Sequence, residues 1–212
     1  MRGTGAIGGT FVVQQIPNQS TGTGVINPFV RINPGGGETS EQGFNTDARP
    51  LQFNENSSPT FTHALSLSAI PVINLSVVLY RQFLLDINQT NANPLLDLNQ
   101  IQIFLSNSGS DPSTGLTAAT ATTPPVIQFA GLTEVFRMNN ASSTLHDIRL
   151  DYSLNAGSGS GDMFLYVLDA VFDAVFTAGF TNVILYSQFG LNPGPNRSND
   201  GFEEWATLNG VT

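Results

Sequence analysis

The chain has 212 residues, 40% of them hydrophobic, which is enough apolar material for one core and excludes a fully disordered protein. Only 11% of residues are charged, less than half of the roughly 25% found in ordinary soluble domains, and polarity comes instead from Asn, Gln, Ser, Thr and 21 glycines. Seven basic residues, all arginine and widely spaced (Arg2, Arg31, Arg49, Arg81, Arg137, Arg149, Arg197), stand against 16 acidic ones for a net charge of −9. No clustered cation is available to displace counterions from a phosphate backbone or an anionic bilayer, so neither nucleic acid nor a membrane surface is an expected partner.

There is no cysteine, which excludes disulfides, thiolate metal sites and cysteine nucleophiles. The opening MRGTGAIGGTFVVQQ lacks an apolar stretch of signal-peptide length. Either the chain is cytosolic, or a leader has been replaced by a start Met. The lysine-free, Asn/Thr/Gly-rich composition favours the second, an extracellular or cell-surface protein. The longest apolar run, from Met163 to Phe180, is broken by Asp169, Asp173 and Gly179, so no membrane span is expected.

In chain order, residues 1–16 read as an arm: a glycine-rich lead followed by the β-prone FVVQQI at 11–16. Residues 17–60 are rich in Asn, Pro, Gly, Ser and Thr and predict loops around short strands such as 25–31. From residue 61 the alternation sharpens. A half-buried strand is expected at 61–69, with Phe61, His63, Leu65 and Leu67 on one face. One or two strands are expected at 71–87, and others at 101–105, 125–129, 132–138, 145–154 and 182–187. The segment 169–176 (DAVFDAVF) departs from this pattern. Its spacing predicts a short helix with Asp169 as N-cap and Gly179 as the stop. Short strands separated by Gly, Asn and Ser predict an all-β fold, an antiparallel, jelly-roll-like β-sandwich over 17–212.

Few residues carry recognisable chemistry. His63 and His146 lie in strand-like segments, and no G-x-S-x-G elbow accompanies them. In an extended segment Glu203 and Glu204 point to opposite faces, which argues against a paired-carboxylate hydrolase. No enzyme activity is expected. Calcium is the candidate cofactor, because hard cations take loop oxygens from Asp, Asn and backbone carbonyls. Asp86, Asn88, Asn91, Asn93 and Asp97 concentrate such oxygens in one stretch, Asp162 closes the glycine-rich run GSGSGD at 157–162, and Asn199 and Asp200 with Glu203 and Glu204 form a third cluster. The competing reading is that these side chains cap their own turns.

Two binding modes follow. Phe11, Val12, Val13 and Ile16 would form a donor strand completing a neighbouring subunit's sheet, or would pair within their own sheet. Trp205, read as exposed, is a candidate platform for stacking a polysaccharide, with Tyr80, Tyr152, Tyr166 and Tyr186 as further rings.

The stretches YRQFLLDINQ (80–89), LLDLNQIQIFLSN (95–107), DYSLNAGSGSGDMFLYV (151–167) and LYSQFG with NDGFEEWA (185–206) together resemble uncharacterised secreted bacterial proteins of the exosortase-sorted, PEP-CTERM-like kind. That resemblance implies a surface or matrix domain, all-β, with no activity to carry over. It also implies a hydrophobic sorting tail, and no such tail is expected from the residues up to Thr212. The combined expectation is a secreted structural protein that polymerises with copies of itself, supported by calcium. A carbohydrate-binding module is the alternative.

Overall fold

The computed structural model describes residues 4–7, 11–15, 26–112, 116–117, 126–139, 146–157, 159–173, 179–191, 194–199 and 201–208. Strands account for 47% of the described residues and helical segments for 6%, and the strands form two antiparallel sheets packed face to face. The chain is an all-β sandwich.

Eight strands build its frame: β3 (Ile26–Ile32), β4 (Glu41–Phe44), β7 (Val78–Asp86), β8 (Leu95–Ser106), β12 (Ile148–Asp151), β13 (Met163–Leu168), β14 (Asn182–Phe189) and β15 (Glu203–Leu208). Their pairing is nested. The first of the eight pairs with the last (β3 with β15), β4 pairs with β14, β7 with β13, and β8 with β12. Lateral pairing of β15 with β7 and of β14 with β8 then splits the folded ribbon into two sheets. This wrapping is that of a jelly roll.

The first sheet continues past β13 through β2 (Phe11–Gln15) to β1 (Thr4–Ile7), and a hairpin strand β6 (Val72–Leu75) pairs with the start of β7. The second sheet gains β11 (Thr133–Arg137) along β8 and the short β5 (Leu65–Ser66) along β14. Two-residue strands β9 (Leu116–Thr117) and β10 (Gln128–Phe129) pair with each other.

Alternation decides which side chains enter the core. Phe83 and Leu85 of β7, Ile101, Ile103 and Leu105 of β8, Leu185 and Phe189 of β14, and Trp205 of β15 all point between the sheets and are buried. The opposite face of the second sheet is not left wet. Phe104, Ile184 and Tyr186 are covered by Phe44, Ile127 and Phe129, with Phe104 and Phe44 set edge-on to Phe129 at ring separations of 4.7 and 5.0 Å. Gln102 is buried on this face because its amide reproduces a strand partner, accepting from Ile127 N at 2.9 Å and donating to Ile127 O at 3.0 Å.

Two expected elements differ. The strand expected at 61–69 shrinks to Leu65–Ser66 followed by a 3-10 turn at Leu67–Ala69. Phe61 N and Thr62 N donate to Ser58 O, and the ring of His63 engages Pro28 O at 2.9 Å and Ala64 O at 2.8 Å, so local turns take the backbone groups that a strand would use. The helix occupies Ala170–Asp173 and is called α1, while residues 174–176 lie outside the described set. Asp169 forms an ion pair with Arg81 at 2.8 Å.

One glycine closes the loop between the sheets. Gly190 adopts φ +67, and a Cβ there would meet Thr39 O at 2.5 Å and Ser198 N at 2.7 Å, both backbone atoms. Gly190→Ala is therefore expected to lower stability by about 2 kcal/mol or more, read as a lower urea midpoint with unchanged slope.

Candidate functional site

Polar side chains gather at one end of the sandwich, where β3, β4, β7 and β15 meet the loops 87–94, 155–162 and 190–202. On the outer face of the first sheet, strand register aligns Arg31, Glu204 and Asp86 in one row, since Glu204 pairs with Arg31 on one side and with Asp86 on the other. Arg31 holds Glu204 Oε2 through Nε and Nη2, each at 2.6 Å, while its guanidinium lies between the rings of Phe61 and Phe202 at 3.5 and 3.8 Å. The glycine-rich loop folds over this row. Gly159 N donates to Asp86 Oδ2 at 2.6 Å, and Asp162 accepts from Ile87 N at 2.8 Å.

Burial dominates the electrostatics here. Asp86 is 1% exposed and its other oxygen has no protein partner. Desolvation, with some repulsion from Glu204, pushes its carboxyl up to about 6 against the opposing bond from Gly159. Asp162 is pushed up to about 8, first by burial and then by the charges of Asp86 and Asp151. Glu204 is also raised by burial, although Arg31 pulls the other way.

A second acidic pair lies inside. Glu41 and Glu203 extend inward from opposite sheets and are 1% and 0% exposed. Ser198 Oγ donates to Glu41 at 2.6 Å and Gln89 Nε2 donates to Glu203 at 2.7 Å. Burial raises both carboxyls, Glu203 well above its ordinary range, where the neighbouring Glu41 adds repulsion.

The structure brings together part of the expected calcium set. Asp86 and Asp162 converge through the pairing of β7 with β13. The others serve elsewhere: Asn88 donates to Phe202 O, Asn91 and Asn93 are exposed, and Asp97 is tied to Arg149 at 3.2 Å and to the Asn196 amide. Among the described residues no group of three or more His, Asp or Glu is placed to hold a metal ion. The loop 86–97 is thus a set of turn and strap contacts, with its buried aspartates drawn to different partners. Glu41, Gln89 and Ser198 had no signal in the sequence, because their proximity depends on strands over 100 residues apart.

Two further expectations are corrected. Trp205 is 0% exposed, packed in the core with Nε1 donating to Ser187 Oγ at 3.0 Å, so its ring offers no face to a glycan. Tyr166 and Tyr186 are buried as well. Phe11, Val12 and Val13 lie in β2, which is hydrogen-bonded to β1 on one side and β13 on the other within its own chain, so this strand is not free for donation. Ile16 lies outside the described residues. A cavity of about 230 Å³ opens beside β2, lined by Val13, Leu150 and Met163 and by Arg149, Asp151 and Asp162.

No protein-family model matches the chain, and no curated protein or solved structure is significantly similar to it. Among the described residues no helix is long and apolar enough to cross a membrane.

The raised carboxyls set a pH dependence. A group that holds its proton more tightly when folded stabilises fully below its unfolded pKa, and this contribution disappears as pH rises through its folded value. Starting from the ordinary value of 3.8, the loss runs through about 6 for Asp86 and about 8 for Asp162. Thermal melts should therefore show stability falling between pH 4 and 8, and Asp162→Asn should make that fall shallower. Parallel curves for the two proteins would remove Asp162 as its source.

Proposed function

We propose that this chain is an extracellular structural protein that polymerises with copies of itself by joining sheet edges. The observation that carries this reading is the hairpin of β6 and β7. Val72, Val78 and Leu79 are 43%, 37% and 49% exposed, and Val77 at the tip is 92% exposed. Ser76 and Val77 both adopt positive φ, 52 and 70, a conformation that a β-branched residue takes at a cost of about 1–3 kcal/mol. The turn is held by Val77 N donating to Asn74 Oδ1 at 2.8 Å. A strained, exposed, apolar tip is poor monomer design and a good contact.

Edge chemistry supports a second copy as the partner. Among the described residues no strand pairs with the outer edge of β6, and none pairs with the outer edge of β1 across the same sheet. Natural edges are usually guarded by charge, yet no Asp, Glu, Lys or Arg occurs between Glu55 and Arg81 or between Arg2 and Arg31. A chain of net charge −9 repels its copies everywhere except at such uncharged borders. Joining β6 of one copy to β1 of the next is a head-to-tail contact that does not close and so builds filaments. Low charge, the absence of Lys and Cys, and the resemblance to exosortase-sorted proteins support an extracellular setting.

Negative-stain electron microscopy and sedimentation test this directly. Wild-type protein should form filaments. Val77→Asp and a chain lacking residues 1–7 should each remain monomeric with wild-type circular dichroism. Val77→Gly should raise the melting temperature of the monomer, because it relieves the positive φ. Monodisperse wild-type monomers at high concentration would sink the proposal.

A further inference from the structure

The interior acidic pair has more acceptor oxygens than the protein has donors. In strand register Glu41 lies opposite Phe189 and Glu203 opposite Ile32, both core residues, so the two carboxylates face the space between the sheets from opposite sides. One oxygen of each is satisfied, by Ser198 Oγ and by Gln89 Nε2. The second oxygen of each, Oε2, is buried and receives no donor from the rest of the protein, the two carboxyls lying within hydrogen-bond reach of each other, and the carbonyl oxygen of Gln89, itself 5% exposed, is buried without a partner. None of the four ion pairs among the described residues includes either glutamate.

Two ionised carboxylates side by side in a dry interior are held there only if something positive lies between them. A single shared proton would bridge the two Oε2 atoms and leave the Gln89 carbonyl unpaired. A hard cation, which takes several oxygens of mixed type, accounts for all three. We infer that Glu41, Glu203 and Gln89, backed by Ser198, form a buried site for a divalent cation of the calcium class. The site is independent of the assembly reading. The ion joins β15 of one sheet to β4 of the other and to the loop after β7, a cross-brace at the end of the sandwich. It also moves the cation away from the 86–97 carboxylates that the sequence singles out.

Trp205 supplies the readout. It is the only tryptophan of the chain, and it shares the inward face of β15 with Glu203, two residues and so roughly 7 Å away. Terbium at the site should emit on indole excitation, saturably, and calcium should displace it. Calcium should also raise the melting temperature by several degrees over chelated protein. The isosteric Glu203→Gln and Glu41→Gln should weaken both responses about tenfold or more, whereas Asp86→Asn, on the outer face, should keep them. Absence of both responses in the wild type would overturn the site in favour of a shared proton. A wild-type response in Glu203→Gln would overturn it by placing the ion elsewhere.

Discussion

The nested pairing of strands is the constraint on which the rest of the molecule depends. Its outermost ladder joins Ile26–Ile32 to Glu203–Leu208, and β15 then lies between β3 and β7, one strand in from the edge of the first sheet. Trp205 takes its place in the core only with that ladder formed. Until then residues 84–86 of β7 lack a neighbour on the side away from β13, and the interior is open along one side. Almost every stabilising contact is therefore long-range in sequence. Such a topology folds slowly because loop closure precedes its reward, and it folds as one unit.

The polar end of the sandwich is a by-product of the same closure. β3, β7 and β15 carry Arg31, Asp86, Glu203 and Glu204 to one level, and β4 brings Glu41 from the facing sheet. The fold handles these charges in different ways: Arg31 neutralises Glu204, the glycine-rich loop covers Asp86, and the interior pair is left with surplus oxygens. An apolar plug would stabilise this end more simply, since buried ions rarely outperform hydrophobic packing. Retaining acids here makes sense where the end of the sandwich has to respond to something, whether protons or cations.

Much of the framework could be read from the chain itself. Ile101, Ile103 and Leu105 alternate as a strand must, and β3, β14 and the start of the short helix fall where the pattern places them. Three things could not be read. The FEEWATL stretch looks like surface, because two glutamates and a tryptophan carry no local sign of the ladders that bury them. The segment at 61–69 alternates like a strand, but the Ser58 carbonyl draws its first two amides into a turn. The strand at 11–15 has the same sequence whether it completes its own sheet or a neighbour's, and only its ladders with β1 and β13 decide. Candidate ligands share that limit: Asp86 and Asp162 meet through one strand register, and no spacing in the sequence encodes it.

The arginines have a consequence for resistance to proteolysis. With no lysine present, a protease of tryptic specificity has only the seven arginines to attack. Arg31, Arg81, Arg137 and Arg149 lie within paired strands, where the backbone cannot reach a protease cleft without local unfolding. Arg49 precedes Pro50, a bond such enzymes cut poorly. Arg197 sits in the exposed loop before β15, but its neighbours are strapped down: Asp97 N donates to Asn196 O, and Ser198 N donates to Thr39 O. Beyond Arg2, which lies outside the described residues, digestion of the folded chain by this class of enzyme should therefore proceed at the rate of unfolding, which makes the lifetime of the protein a property of its long-range ladders.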